Sequence, residues 1–410
     1  MIPNRKPQIP QILGYVTPVR AFRTPQGIYM QAASGRVADA LARHYEKIYI
    51  CTRVVADCPH ATGDQPLEAS NVELIAQPFW RTSAGSLPHF VGIARAYFQT
   101  CRRADVLFVR GMCPFIAVLY AFAYLFRRPI CHWIVGDPVA LLRSSRRNGR
   151  VLDSFALLYA LQDRLSSRVG RWLTNGAFVC NGHELARAYR SPRTTAVVSS
   201  TVRETEFSFR ADSCQGQIVR ILFVGFIRPE KGIEHLLNAV ILLDPKIRWE
   251  LEIVGTDEFP EYWKRLDGIV ETRRLDERVR WAGYMPYGRP SFDCVHAADI
   301  FVLPTLSEGT PHVLVEVRAN SLPCISTTVG GVPSTVRHGF DALLVPPGNP
   351  EALAHAIDRI IRDGEFRRQL IRNGWSAARR QTLERFVATV RRELEADVEA
   401  REPVVAHRQH

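Results

Sequence analysis

Short apolar runs of strand length alternate with longer segments of helical periodicity along this chain, and the alternation is played out twice. The first half reads "QILGYV" (11–16), a helix over 29–45, "KIYICTRV" (47–54), a helix over 87–103, "ADVLFVRG", a long apolar helix from 114, and "PICHWIVGDP". Strands separated by helices of this length need crossover connections, which implies βαβ units and a parallel sheet. The pattern loosens after "AVVSSTV" (196–202) into the polar stretch "RETEFSFRADSCQGQ" and then restarts. The second series runs "VRILFVGFI" (219–227), a helix from 232, "WELEIVG" (249–255), a helix over 261–275, "VRWAGY", "DIFVLPT" (299–305) and "PCISTTV", with helices to about 398. The expected fold is α/β, with two doubly wound domains facing a cleft, the first over 1–205 and the second over 206–381. A chain of 410 residues is long enough for two such cores.

Composition narrows the classes of function. The formal charge is +12, which suits nucleic acid, an anionic membrane face or phosphorylated ligands. No zinc-finger, RNP-type or basic-zipper signature accompanies it, so a nucleic-acid partner is not expected. The densest basic stretch, "RSSRRNGRVLDSFALLYALQDRLSSRVGR", interleaves Arg143, Arg146, Arg147, Arg150, Arg164, Arg168 and Arg171 with apolar residues. It reads either as a solvated helix face or as a surface for an anionic membrane. Nine cysteines without a C-x-x-C pair argue against a disulfide framework or a structural zinc site. The N-terminus has no signal-peptide pattern, and "FIAVLYAFAYLF" (115–126) is too short to span a bilayer. A cytoplasmic protein is expected, peripheral at the inner face of the cell membrane if the basic stretch is a membrane surface.

Chemistry in such sheets is expected at the carboxyl ends of strands. Neither G-x-G-x-x-G nor G-x-x-x-x-G-K-[ST] occurs, so neither a dinucleotide fingerprint nor a Walker loop is supported. In "FVGFIRPEKG", Arg228 and Lys231 lie in a turn between a strand and a helix. A planar fork and a point charge there suit a diphosphate, or make a plain basic turn. In "TLSEGTPHVLVEV", Thr310 is a candidate N-cap and Pro311 a candidate first helical residue. That start would free the amides of His312, Val313 and Leu314 for an anion. Glu308 precedes it, placed for a neutral, hydroxyl-rich group, or stands as a loop carboxylate. Glu316, inside an apolar run, suits a ribose diol, or partners a neighbouring cation. Gly330 and Gly331 in "TTVGGVPSTV" permit close backbone approach at another strand end.

Three features in order, "VGFIRPEKG", the pair Glu308 and Glu316 eight residues apart, and "TTVGGVPSTVRHGFDALLVPPGNPEALAHAI", resemble the donor half of a family 4 (group 1) retaining glycosyltransferase with the GT-B fold. The resemblance covers roughly residues 218 to 365 and implies two Rossmann-like domains. "TLERFVATVRRELEADVEA" is similar to that family's crossover helix, so residues 382–410 would form a C-terminal helix returning to the first domain, plus a tail. By the same resemblance Arg228 and Lys231 would bind the donor diphosphate, and Glu308 would position the sugar. The backbone from Gly309 through Thr310, Pro311, His312 and Val313 to Leu314 would meet hydroxyls and phosphate. Glu316 would hold the ribose, and Gly255 and Tyr284 would lie near the base.

In the first half, Gly27 corresponds to a glycine-bearing loop where the family usually shows a glycine pair. Asp137 falls where the family often faces a polar residue to the transferred sugar, while His132 reads as a core histidine. Ser334 stands where glutamate is common. The implied activity is an NDP-sugar-dependent, retaining hexosyl transfer to a saccharide or lipid-linked acceptor in polysaccharide or glycolipid biosynthesis. No D-x-D metal site is apparent, and no cofactor or metal is expected. A nucleotide-sugar epimerase and a non-catalytic nucleotide-sugar-binding protein stay open as alternatives.

Overall fold

The computed structural model describes residues 10–56, 64–82, 84–136, 139, 150–256 and 259–401. Its contacts divide the chain into two units, Met1–Val197 with Phe386–His410, and Val198–Arg385. The first division falls at 197/198 rather than 205/206 because the chain after Val197 already packs as part of the second unit. Val202 is fully buried against Val315, Ala319 and Ala378, and its carbonyl accepts from the Leu383 amide at 2.8 Å.

Ten strands of the first unit are described: β1 (Ile12–Val16), β2 (Ala21–Thr24), β3 (Gly27–Gln31), β4 (Lys47–Ala56), β5 (Asp64–Pro66), β6 (Val72–Gln77), β7 (Val106–Arg110), β8 (Ile130–Ile134), β9 (Ala177–Asn181) and β10 (Thr194–Val197). The parallel part runs β10-β9-β8-β7-β1-β4-β6, so the winding direction reverses between β1 and β7. β4 is long enough to outlast that sheet. Its residues Val54–Ala56 pair with β2, which with β3 forms a hairpin extended by β5. Sequence periodicity merges this hairpin with the following helix, which starts only at Ala32. Strands of four and five residues are too short to declare a period of two before a helix begins.

The core of this sheet stacks Tyr15 on Phe108 at 5.3 Å and Phe108 on Trp133 at 6.0 Å. Phe386, near the start of the C-terminal helix Leu383–Arg401, closes on Trp133 with ring centroids 4.7 Å apart. Further along that helix, Glu393 accepts from the Arg193 guanidinium and the Thr195 hydroxyl of β10. The helix therefore begins in the second unit and is built into the first.

The second unit is a six-stranded parallel sheet: β11 (Val219–Val224), β12 (Trp249–Val254), β13 (Val279–Gly283), β14 (Ile300–Leu303), β15 (Cys324–Thr327) and β16 (Leu343–Val345). The order β13-β12-β11-β14-β15-β16 reverses between β11 and β14, the position at which doubly wound sheets bind ligands. All four residues of β14 and of β15 are buried, as a strand covered on both faces requires. Behind the sheet, Arg318 is 1% exposed and pairs with Asp341 at 3.2 Å. Its remaining donors reach the Leu314 and Thr335 carbonyls and the Gln381 amide oxygen. Among the described residues no helix is long and apolar enough to cross a membrane.

Candidate functional site

The reversal between β11 and β14 gathers four turns, and glycine decides how closely they meet. Gly225 follows β11 and Gly255 follows β12. A Cβ on Gly255 would lie 1.9 Å from the Gly225 carbonyl oxygen, so only glycine lets these two strand ends come together. Ladder bonds continue past them, from the Gly225 amide to Val254 at 3.0 Å and from the Ile227 amide to Thr256 at 3.0 Å.

The chain then makes one tight 3₁₀ turn over Pro229–Lys231, with Arg228 extended before it and Gly232 ending it at φ +65°. The Glu230 carbonyl of this turn accepts from the Leu306 amide at 2.7 Å and the Thr305 hydroxyl at 3.0 Å. These bonds fasten the basic turn to the loop after β14. Lys231 Nζ meets the Glu308 carboxylate, and the two side chains keep only 19% and 17% of their exposure. The Arg228 guanidinium lies over the Phe226 ring, 4.6 Å from its centroid.

The loop after β15 packs against the main chain of Glu308 and Gly309. Gly330 has φ +48°, and a Cβ there would fall 1.9 Å from the Glu308 carbonyl oxygen. A Cβ on Gly331 would fall 2.3 Å from the Gly309 carbonyl oxygen. The structure thus brings Lys231, Glu308, Gly309, Thr310, Gly330 and Gly331 into one cluster, with Arg228 on the adjoining turn.

The helix after Thr310 differs from the sequence expectation. It spans Val313–Ala319, with His312 at the N-cap position and no side-chain cap. The Leu314 amide is not free, since it closes a turn onto the Pro311 carbonyl at 3.2 Å, and the Val315 and Glu316 amides bond to His312. Thr310 therefore is not the cap. Its side chain is buried, and Oγ1 has no hydrogen-bond partner among the described residues. The displacement follows from Pro311 and His312 taking a tight i→i+3 turn before the α-helical ladder sets in.

Glu316 is half-buried and accepts from the Thr201 hydroxyl at 3.0 Å, while His312 Nε2 pairs with Ser199 Oγ at 3.3 Å. One partner of Glu316 is thus a neutral hydroxyl. Ser199 and Thr201 are the residues that sequence reading missed. Their only signal is three successive hydroxyl residues inside the apolar "VVSSTV", where buried side chains need partners.

Gly255 lies at the end of β12, and its amide donates to the Gly283 carbonyl at 2.9 Å. Tyr284 follows β13 and is 37% exposed. Gly27 belongs to the first unit, where it opens β3 at φ +136° inside the β2–β3 hairpin rather than in a loop leading straight to a helix. Asp137 lies outside the described residues. His132 is a core histidine: its nitrogens bond to the Tyr120 hydroxyl at 3.0 Å and the Gly111 carbonyl at 2.8 Å. Burial pushes its pKa down to about 4. Among the described residues no group of three or more His, Cys, Asp or Glu side chains is placed to hold a metal ion.

Residues 208–376, within the second unit, match the family described as glycosyl transferases group 1. Two uncharacterized glycosyltransferases of Methanocaldococcus jannaschii are similar. One is 28% identical over 171 residues, which is 42% of this chain and 43% of that protein. The other is 31% identical over 178 residues, 42% of this chain and 47% of that protein. The chain thus matches a little under half the length of these relatives. Among solved structures, HepE of Anabaena superposes with a TM-score of 0.65 at 17% identity, covering 95% of this chain and all of that one. The fold is GT-B: two doubly wound parallel-sheet units with a C-terminal helix returning to the first.

Proposed function

We propose that this chain is a retaining glycosyltransferase that moves a hexosyl group from a nucleoside-diphosphate sugar to a hydroxyl of a saccharide or lipid-linked acceptor. The observation that carries the reading is the Lys231–Glu308 pair at the reversal of the second sheet, held there by turns that leave no room for a side chain at Gly330 or Gly331. Breaking the C1–O bond of the donor leaves negative charge on a diphosphate. Lys231 and Arg228 stabilise that charge at the end of β11, and preorganised cations of this kind are worth about 3–4 kcal/mol each where water is excluded.

Glu308 draws the ammonium of Lys231 to one side and offers its second oxygen to a sugar hydroxyl. The orphan Thr310 hydroxyl supplies another contact for the donor. Glu316, already facing the neutral hydroxyl of Thr201, is suited to a ribose diol. The acceptor oxygen attacks C1 from the face that the phosphate leaves, and its proton passes to the departing phosphate oxygen, so the anomeric configuration is retained. Two cations take the place of a divalent metal in this scheme, and neither metal nor cofactor is required.

HepE has been solved with UDP and with UDP-glucose, which makes uridine donors the first to try. The test is a panel of UDP- and GDP-sugars, following nucleotide release and product by mass spectrometry, with anomeric configuration read by NMR. A donor that turns over should lose at least about 100-fold in kcat/KM in Lys231→Ala and Glu308→Gln, and EDTA should leave the rate unchanged. Full activity in both variants overturns the site. Conversion of the donor sugar without acceptor would point instead to an epimerase.

A further inference from the structure

The helix Arg150–Thr174 of the first unit is amphipathic the wrong way round. Its buried side carries Ala160, Asp163, Ser167, Gly170 and Thr174. A Cβ on Gly170 would lie 2.2 Å from the Tyr120 ring, so this small, polar side is pressed onto the helix Ile116–Leu125. The outward side carries Leu158, Leu161, Leu165, Val169, Trp172 and Leu173, all exposed, with Leu165 at 63% and Trp172 at 71%. Spacings of three and four residues place all six on one stripe about 120° wide. Tyr124 and Leu125, one turn beyond Tyr120 on the neighbouring helix, are exposed at 59% and 67%. Scattered apolar residues are normal on a surface, but a continuous stripe of this length marks a face that docks.

The border of the stripe identifies what it docks on. Arg164 and Arg168 run along one flank with their guanidinium groups held on the Ala188 carbonyl at 2.6 and 2.5 Å, and Arg171 follows one turn on. The acid among this helix's described side chains, Asp163, is on the buried side. In sequence the helix is led in by Arg143, Arg146, Arg147 and Arg150. A second copy pairing through the same face would meet it with the same basic border, at the same net charge of +12. An anionic lipid surface answers both features, taking the leucines and Trp172 among its acyl chains and the arginines at its headgroups.

We propose that the outward face of Arg150–Thr174 is a docking surface for an anionic lipid bilayer, on which the first unit lies with this helix parallel to the membrane plane. The inference concerns the first unit alone and is independent of the donor chemistry of the second. Flotation of the full chain with vesicles of phosphatidylcholine containing about 30% phosphatidylglycerol tests it, against vesicles of phosphatidylcholine alone. The protein should float with the anionic vesicles and partition about tenfold less onto neutral ones or in about 0.5 M salt.

The double variant Leu165→Ser, Trp172→Ser should lose at least about tenfold in partitioning with its melting temperature unchanged, because both side chains are exposed. Leu158→Ser provides a second reading at the far end of the stripe should the double variant unfold. Trp172→Phe should still float but lose the tryptophan quenching that brominated lipid produces in the wild type. Absence of flotation with anionic vesicles, or equal partitioning of the variants, overturns the proposal. So does a dimer in size-exclusion chromatography that the double variant dissolves.

Discussion

Replacing Gly330 by alanine asks whether the glycine pair after β15 positions the proposed donor site or only makes a turn. The backbone at Gly330 has φ +48°, which costs an L-residue roughly 1–2 kcal/mol. The larger effect is steric. The new Cβ would fall 1.9 Å from the Glu308 carbonyl oxygen, and both partners in that contact are backbone or backbone-fixed atoms. Non-bonded carbon and oxygen need roughly 3 Å or more, so one of the two turns must move by about 1 Å. Whichever moves, the relation between the β15 loop and the Glu308–Thr310 segment changes, and with it the placement of Glu308 against Lys231.

A displacement of about 1 Å at a reacting centre costs on the order of 100-fold in rate. Gly330→Ala is therefore expected to lower kcat/KM by about two orders of magnitude, equivalent to about 2.7 kcal/mol of transition-state stabilisation. The strain itself should lower global stability by only about 1–3 kcal/mol. Gly268→Ala is the matched control. It lies inside the helix Pro260–Thr272 with nothing within 4 Å of its Cβ, and should stabilise by roughly 1 kcal/mol with activity unchanged. Steady-state donor turnover and urea unfolding on both variants separate the two effects. If Gly330→Ala keeps kcat/KM within about twofold of the wild type, the turns are not positioned by this contact and the reasoning fails.

Two further perturbations address the cores. Asp163 is 4% exposed, and burial raises its pKa from 3.8 to about 7. Because the folded value is the higher one, its stability contribution is full below pH 4 and is lost as pH rises to 7, by about 1.4 kcal/mol per pH unit. Asp163→Asn should match the wild type near pH 4 and be more stable at pH 8, as read by denaturant unfolding. The His132 imidazole, held neutral down to about pH 4, has the opposite slope, losing stability as pH falls from 6.5 towards 4. Removing Asp163 should therefore leave a net loss of stability on acidification. Parallel pH curves for the two proteins would refute the assignment. In the second unit, Arg318→Met leaves the Asp341 carboxylate buried without its cation and should cost about 3–5 kcal/mol by urea unfolding, and a cost under about 1 kcal/mol would refute it.

The second unit was legible because its signals are local. A strand, a glycine and a charged turn follow one another within ten residues, and the parallel sheet then dictates where they meet. Lys231 and Glu308 are 77 residues apart, yet both follow strands adjacent at the sheet's reversal. What sequence reading could not supply was side-chain pairing across those turns. That Lys231 faces Glu308, or that Thr201 reaches Glu316 from 115 residues away, depends on the register of loops that no periodicity encodes. The helix start at Val313 rather than Pro311 has the same origin, since proline at a first helical position and proline inside a 3₁₀ turn read identically.

The helix Arg150–Thr174 shows a deeper limit of pattern reading. A period near 3.6 reveals that a helix has two unlike faces, but not which of them is turned inward. The customary assumption is that the apolar face is buried, and by that rule Leu158, Leu161, Leu165 and Trp172 would form the core. The structure turns them outward, because the inner contact needs a residue no larger than glycine at 170 against the Tyr120 ring. The cost of that choice is visible on both sides: Asp163 is kept protonated to near neutral pH, and Ser167 Oγ is buried without a partner among the described residues. A core assembled for stability alone would have placed leucines there. The buried polar face and the exposed apolar one therefore make one observation, and the proposed lipid docking accounts for both at once.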